Sequence, residues 1–277
     1  MARSRDRRLE RIVSGFFAGI DVGTSYIKAV LIDANVEKIG HSIVHTGADL
    51  PFSIDSTFDA LLSSSSIDRD AVEHITATGF GRKNVSFADN VKTEIACHSK
   101  GAFHHFPQRI TVIDIGGQDT KVIKLDDDGK RTSFRMNRKC AAGTGTFLEE
   151  IAGKLQIEMD QMNDLARKSE NDVALSSFCT VFASSEILTR IREGENLEDM
   201  VKSAYESVAR RVIEMDTLEG TIVMTGGVVA YNDIMLEVMK KYIRGEVLIS
   251  PEPQLCGAFG AALFARESCP PEIIHPI

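Results

Sequence analysis

Short apolar runs of strand length and stretches of helical period alternate along this chain. Apolar residues lead into Ile20, a Gly-containing turn follows, and Ala29 to Ile32 is again β-type, so the region reads as strand, turn, strand. The same reading applies around Ile113, with Val122 to Leu125 as the returning strand. Between the two lie a third strand from Val36 to His45, a helix from Thr57 to Ser63, a strand from His74 to Ala77 and a helix from Thr93 to Phe103. After the second turn, Arg131 to Met136 continues the sheet. Gly145 to Leu155 then carries Phe147, Leu148, Ile151 and Leu155 at helical spacing. Met200 to Leu218 reads as a long amphipathic helix, Thr221 to Met224 as a strand, Ile234 to Ile243 as a helix and Val247 to Ile249 as a strand. Ala258 to Arg266 closes the pattern as a helix of small residues, suited to close packing where two halves cross.

The two strand-turn-strand units are copies of one another. Ile20-Asp21-Val22-Gly23-Thr24-Ser25-Tyr26-Ile27-Lys28 and Ile113-Asp114-Ile115-Gly116-Gly117-Gln118-Asp119-Thr120-Lys121 place Asp, Gly and Lys at identical offsets. Two similar α/β halves facing each other follow. The expected division is an N-terminal extension over 1–15, a first domain over 16–107 plus 256–277, and a second over 108–255.

Composition narrows the classes of function. With 277 residues and 43% hydrophobic content the chain can bury a full core. A net charge of -8 argues against sequence-independent nucleic-acid binding, which needs a basic surface. Arg3, Arg5, Arg7, Arg8 and Arg11 make the start basic, but the following apolar segment is broken by Ser14 and Gly15 and merges with the first strand. No run approaches the ~20 apolar residues of a spanning helix, so a cytoplasmic protein without a membrane partner is expected. The five cysteines, Cys97, Cys140, Cys179, Cys256 and Cys269, form no CxxC pair; an odd, scattered set points to buried thiols or metal ligands.

A Gly turn between strands exposes backbone N–H groups that cradle phosphate, and two such turns clamp a phosphate chain from both sides. One turn alone is compatible with an ordinary hairpin; two matched copies favour a site. Gly23, Thr24, Ser25 and Lys28 would form one wall, and Gly116 and Gly117 the other. Asp21 and Asp114 are the candidates to hold Mg²⁺, mostly through water. Asp119, or Gln118 beside it, would position an attacking water. Gly226 and Gly227, after the strand ending at Met224, allow the close backbone approach that an adenosine needs. The seven histidines read as surface or packing residues.

GIDVGTSYIK, VIDIGGQDTKVI and VMTGGV resemble the two phosphate motifs and the adenosine motif of the actin, hexokinase and Hsp70 superfamily. The segments from Lys139 to Glu149 and from Cys179 to Glu186 resemble the activator, or component A, of 2-hydroxyacyl-CoA dehydratases and the related ATPase subunits of benzoyl-CoA reductases. This likeness, running from about Phe17 to Arg266 and most specific at CAAGTG, implies two actin-like (ribonuclease H-like) α/β domains with a nucleotide cleft between them.

It further implies an ATPase homodimer in which Cys140 and Cys179 of each subunit hold one 4Fe-4S cluster. Two thiolates per chain cannot complete a four-Cys cluster, but two chains can. Cys140 is expected at the start of a helix, where free N–H groups meet sulfur. Gly143, Thr144 and Gly145 would link that cysteine to bound ATP or ADP. The implied partners are a ferredoxin or flavodoxin as electron donor and a dehydratase or reductase as acceptor. Ser184 departs from the pattern, standing where such activators usually have Glu. An ATPase subunit of a benzoyl-CoA or double-cubane cluster reductase, and a small-molecule kinase of the same superfamily, are the competing readings.

Overall fold

A computed structural model of the chain describes residues 15–137, 141, 143–171, 173–175 and 179–269. Strands β1 (Phe16–Val22), β2 (Tyr26–Asp33) and β3 (Lys38–His45) form an antiparallel meander. Helix α1 (Leu50–Ser65) leads to β4 (Val72–Thr78) and the short β5 (Asn90–Val91), both parallel to β1. Helix α2 (Glu94–His105) then passes to β6 (Ile110–Ile115), β7 (Thr120–Leu125) and β8 (Arg131–Asn137), a second antiparallel meander. Helices α3 (Gly145–Leu155), α4 (Gln161–Lys168), α5 (Thr180–Arg192) and α6 (Leu197–Ile213) precede β9 (Glu219–Thr225). The short α7 (Gly227–Tyr231), α8 (Ile234–Tyr242), β10 (Arg244–Ile249) and α9 (Cys256–Ser268) complete the chain.

The sheets have orders β3-β2-β1-β4-β5 and β8-β7-β6-β9-β10, the same plan strand for strand. The repeat read from two loops therefore extends through both sheets. Side chains alternate along each central strand, so both faces are used. Ala18, Ile20 and Val22 pack with Phe58 and Leu61 of α1, whereas Phe17 packs with Ala258 and Ala262 of α9. Ile113 and Ile115 join the core under α3 and α6, while Ile110 and Val112 pack with Ile95 and Ala102 of α2. Helices α2 and α9 thus lie back to back between the sheets.

Several boundaries differ from the periodicity reading, each for a local reason. α1 begins at Leu50, not Thr57, because Asp49 caps it by accepting from the Phe52 amide at 3.1 Å and Pro51 sits in its first turn. α6 starts at Leu197 and stops at Ile213 instead of running to Leu218. There Asp216 accepts from Lys124 Nζ at 2.8 Å and draws the chain onto β7. α4 is short and largely polar, burying Met162 and Ala166, and its pattern went unread as a helix. Of the expected extension over 1–15, residues 1–14 lie outside the described residues, as do 270–277.

The crossing of α2 and α9 is a backbone-to-backbone contact. A methyl at Gly260 would overlap the carbonyl oxygen of Cys97, and one at Gly101 would overlap that of Cys256. Substituting Gly260→Ala is expected to lower unfolding free energy by about 3 kcal/mol, the upper end of overpacking costs. Denaturant unfolding of the purified variant measures it.

Candidate nucleotide-binding site

The duplicated Asp and Lys become a cross-strand pair in each sheet. Asp21 stands opposite Lys28 in the β1–β2 register, and Lys28 Nζ lies 2.8 Å from its Oδ2. Asp114 stands opposite Lys121 in the β6–β7 register, with Lys121 Nζ 3.0 Å from its Oδ2. The turns match as well: the Gly23 amide donates to the Tyr26 carbonyl at 3.0 Å, and the Gly116 amide to that of Asp119 at 2.9 Å. Thr46 donates to the carbonyls of Gly23 and Ser25 and holds the first turn from outside. No acceptor among the described residues meets the amides of Thr24 and Ser25, or those of Gly117 and Gln118. Ser25 and Gly117 come together across the two halves, since a methyl on Gly117 would lie 2.7 Å from Ser25 Oγ.

A third duplicated feature was only half legible. β9 ends in Thr225-Gly226 and β4 in Thr78-Gly79, and both glycines have positive φ, +99° and +91°. A side chain at Gly79 would strike the Val22 carbonyl and come within 2.5 Å of Asp21 Oδ1. At Gly226 it would strike the Ile115 carbonyl and come within 2.6 Å of Asp114 Oδ1. The aspartate of each duplicated turn is thus overlaid by a glycine that nothing larger can replace. Gly79 was missed; the Thr-Gly that follows both strands was the available signal. Gly227, the first residue of α7, lies beside Gln254, whose Oε1 accepts from Tyr231 Oη at 2.9 Å.

Buried charge is concentrated around Asp114. Lys121, 2% exposed, binds Asp114, Asp119 Oδ1 at 2.6 Å and Glu94 Oε2 at 2.9 Å. Burial alone would raise the Asp114 carboxyl, but His98, Lys121 and Lys28 outweigh it and hold the group at about 2. Burial alone would lower Lys121, and the carboxylates of Asp114, Glu94 and Asp119 raise it instead. Lys121 and Glu94 escaped the sequence reading as site residues. Asp119 is committed to Lys121, while Gln118 is exposed. His98 is buried, with Nε2 3.6 Å from Asp114 Oδ2 and Nδ1 3.2 Å from Thr225 Oγ1.

The segment ahead of α3 is fastened to the second turn. The amides of Gly145 and Thr146 donate to the carbonyls of Gly116 at 2.9 Å and Gly117 at 2.8 Å. Thr146 Oγ1 adds a bond to Gly117, and Thr120 Oγ1 donates to the Gly143 carbonyl at 2.5 Å. Thr144 is buried, its hydroxyl donating to the Ala141 carbonyl.

The chain matches the BadF/BadG/BcrA/BcrD ATPase family over residues 18–265. It belongs to that family of ATPases. It is 39% identical over 255 residues to the activator of lactoyl-CoA dehydratase of Anaerotignum propionicum, covering 90% of this chain and 97% of that one. It is 37% identical over 257 residues to the (R)-2-hydroxyglutaryl-CoA dehydratase activating ATPase of Acidaminococcus fermentans, covering 91% and 98%. The activator of the 2-hydroxyisocaproyl-CoA dehydratase from Clostridium difficile, solved with bound ADPNP, superposes with a TM-score of 0.86 at 34% identity. That superposition spans 91% of this chain and 95% of its counterpart.

In this member of the BadF/BadG/BcrA/BcrD family, the cysteines separate by environment. Cys179 is exposed and caps the N-terminus of α5. Cys140 lies outside the described residues, as does its expected place ahead of the helix, while α3 runs from Gly145 to Leu155 as its apolar spacing predicts. Burial pushes Cys97 up to about 12 and raises Cys256 further, which keeps both as neutral thiols in the core. Ser184 is buried on α5 and donates to Glu150 Oε1 of α3 at 3.2 Å. Among the described residues no three His, Cys, Asp or Glu side chains gather as a metal site, and no helix is long and apolar enough to cross a membrane.

The depressed Asp114 carboxyl predicts an acid-labile fold. Its contribution is present above the unfolded-chain value near 3.8 and is lost as pH falls through about 2. Unfolding measured from pH 5 to pH 2 should lose about 2 kcal/mol at this group, and Asp114→Asn should flatten that limb. Lys121→Met, which strands its carboxylates, should cost about 3–5 kcal/mol at neutral pH.

Proposed function

We propose that this ATPase is the activator of a 2-hydroxyacyl-CoA dehydratase, acting as a homodimer that couples ATP hydrolysis to delivery of a low-potential electron. The observation that carries the reading is the pair of backbone hydrogen bonds from Gly145 and Thr146 to Gly116 and Gly117. They tie the turn assigned to phosphate to the very segment that contains Cys140. A displacement of the turn on hydrolysis is then a displacement of that segment, the kind of linked element that nucleotide switching requires.

In this scheme the amides of Thr24, Ser25, Gly117 and Gln118 receive phosphate oxygens, and Lys28 and Gly23 complete the first wall. Asp21 and Asp114 orient Mg²⁺ through water from opposite sides. Gln118, exposed at the turn, is the better placed of the two candidates to orient water, because Asp119 is held by Lys121. Gly226 and Gly227 admit the adenosine. Residues 16–107 with 256–277 and residues 108–255 serve as the two domains that close on it.

Cys140 and Cys179 of each subunit would hold one shared 4Fe-4S cluster, a one-electron carrier when bound. Cys179 supports the reading: it is exposed at a helix N-terminus, where the first-turn amides favour an anionic group and a second copy of the chain has access. Ferredoxin or flavodoxin is the electron donor by the same reading, in a cytoplasmic, anaerobic setting. The Ser184–Glu150 bond sets how α5 sits against α3.

Two measurements test this. Protein purified without oxygen should contain about four irons and four sulfides per dimer, lost in Cys140→Ala with Cys179→Ala; absence of iron after reconstitution would reject the electron-transfer role. Asp21→Asn should lower kcat for ATP hydrolysis by about a hundredfold or more, and parental turnover would remove Asp21 from the site.

A further inference from the structure

Helix α2 presents Glu94 and His98, one turn apart, to two neighbouring strands of the second sheet. Glu94 meets Lys121 at 2.9 Å, and His98 Nε2 meets the Oδ2 of Asp114 at 3.6 Å. Lys121 and Asp114 are themselves bonded at 3.0 Å. The helix is therefore stitched to one ion pair by two contacts. A second link runs through Thr225, whose hydroxyl donates to Asp114 Oδ1 at 3.4 Å and lies 3.2 Å from His98 Nδ1.

The other side of the imidazole faces the first sheet. A methyl at Gly257 of α9 would lie 2.8 Å from His98 Nε2 and 3.2 Å from Asp21 Oδ2. The ring and the Asp21 carboxylate thus border the same side-chain-free spot. His98 is 6% exposed, carried by the helix that connects the two sheets, and it reaches toward the aspartate of each.

We propose that His98 is a positioning residue: it fixes the rotamer of Asp114 and makes that rotamer depend on where α2 stands between the two sheets. The carboxylate is productive only when the sheets have the angle that brings Asp21 to the same ligand. Nucleotide can then bind without His98, because the amides of the two turns are untouched by it, but turnover requires it. The inference rests on the assignment of Asp114 to the nucleotide site.

Two variants separate the ring's contacts. His98→Gln keeps a donor near the Nε2 position facing Asp114, whereas His98→Asn keeps one only near Nδ1, facing Thr225. The expected result is a kcat within about threefold of the parent for Gln and at least about tenfold lower for Asn, with ATP Kd within twofold for both and matching melting temperatures. Parental kcat in His98→Asn, equal losses in the two variants, or a loss matched by weaker ATP binding would overturn it. If position 98 does not tolerate substitution, Thr225→Val removes the hydroxyl link at constant volume. A several-fold fall in kcat at unchanged Kd then supports the role, and parental kcat overturns it. Asp114→Asn measured alongside keeps the levels apart. Parental turnover in that variant rejects the site assignment itself, whereas an inactive Asp114→Asn beside an active His98→Asn rejects only the positioning role.

Discussion

A carboxylate buried at the end of a β-strand is tolerated only when a cation shares its site, and this molecule meets that condition in both of its sheets. Asp and Lys seven residues apart become direct neighbours because a tight turn folds β2 back on β1, and β7 back on β6. The same turn that creates the ion pair exposes backbone amides beside it. Charge neutralisation and the exposure of those amides thus have one structural cause. The second copy is more deeply buried and more heavily charged, with three carboxylates around Lys121. That asymmetry places the depressed Asp114 carboxyl in the second sheet.

Glycine sets how closely the remaining parts approach. Gly79 and Gly226 let the chain turn over the aspartates with positive φ, where any Cβ would collide with a strand carbonyl. Gly101, Gly257 and Gly260 let α2 and α9 cross at backbone distance and leave room for the His98 ring. The crossing brings His98 of α2 close to Asp114 of one sheet and, across Gly257, near Asp21 of the other.

The segment from Gly143 to Thr146 plays a comparable part on the other side of the second turn. Its hydrogen bonds to Gly116, Gly117 and Thr120 fasten it to that turn. It makes α3 an extension of the second turn.

The sequence by itself determined the duplicated turns, most strand and helix positions, and the family. Matched Asp, Gly and Lys offsets survive as local chemistry whatever surrounds them. It also marked Asp21, Asp114, Gly117 and Gly226 as candidate site residues, because each sits in a motif whose spacing has a chemical reason. It could not reveal His98 or Glu94, which lie on a helix with no motif and acquire meaning only from Lys121 and Asp114 across the fold. Nor could it reveal Gly79, whose Thr-Gly signal is weak until β4 and β9 are seen in equivalent places. Helix starts at Leu50 and Leu197 were set by capping and first-turn charge, not by apolar period. Period and motif are properties of neighbours in sequence; the long-range charge pairs and the glycine contacts were decided only by packing, because they depend on which surfaces the two sheets bring together.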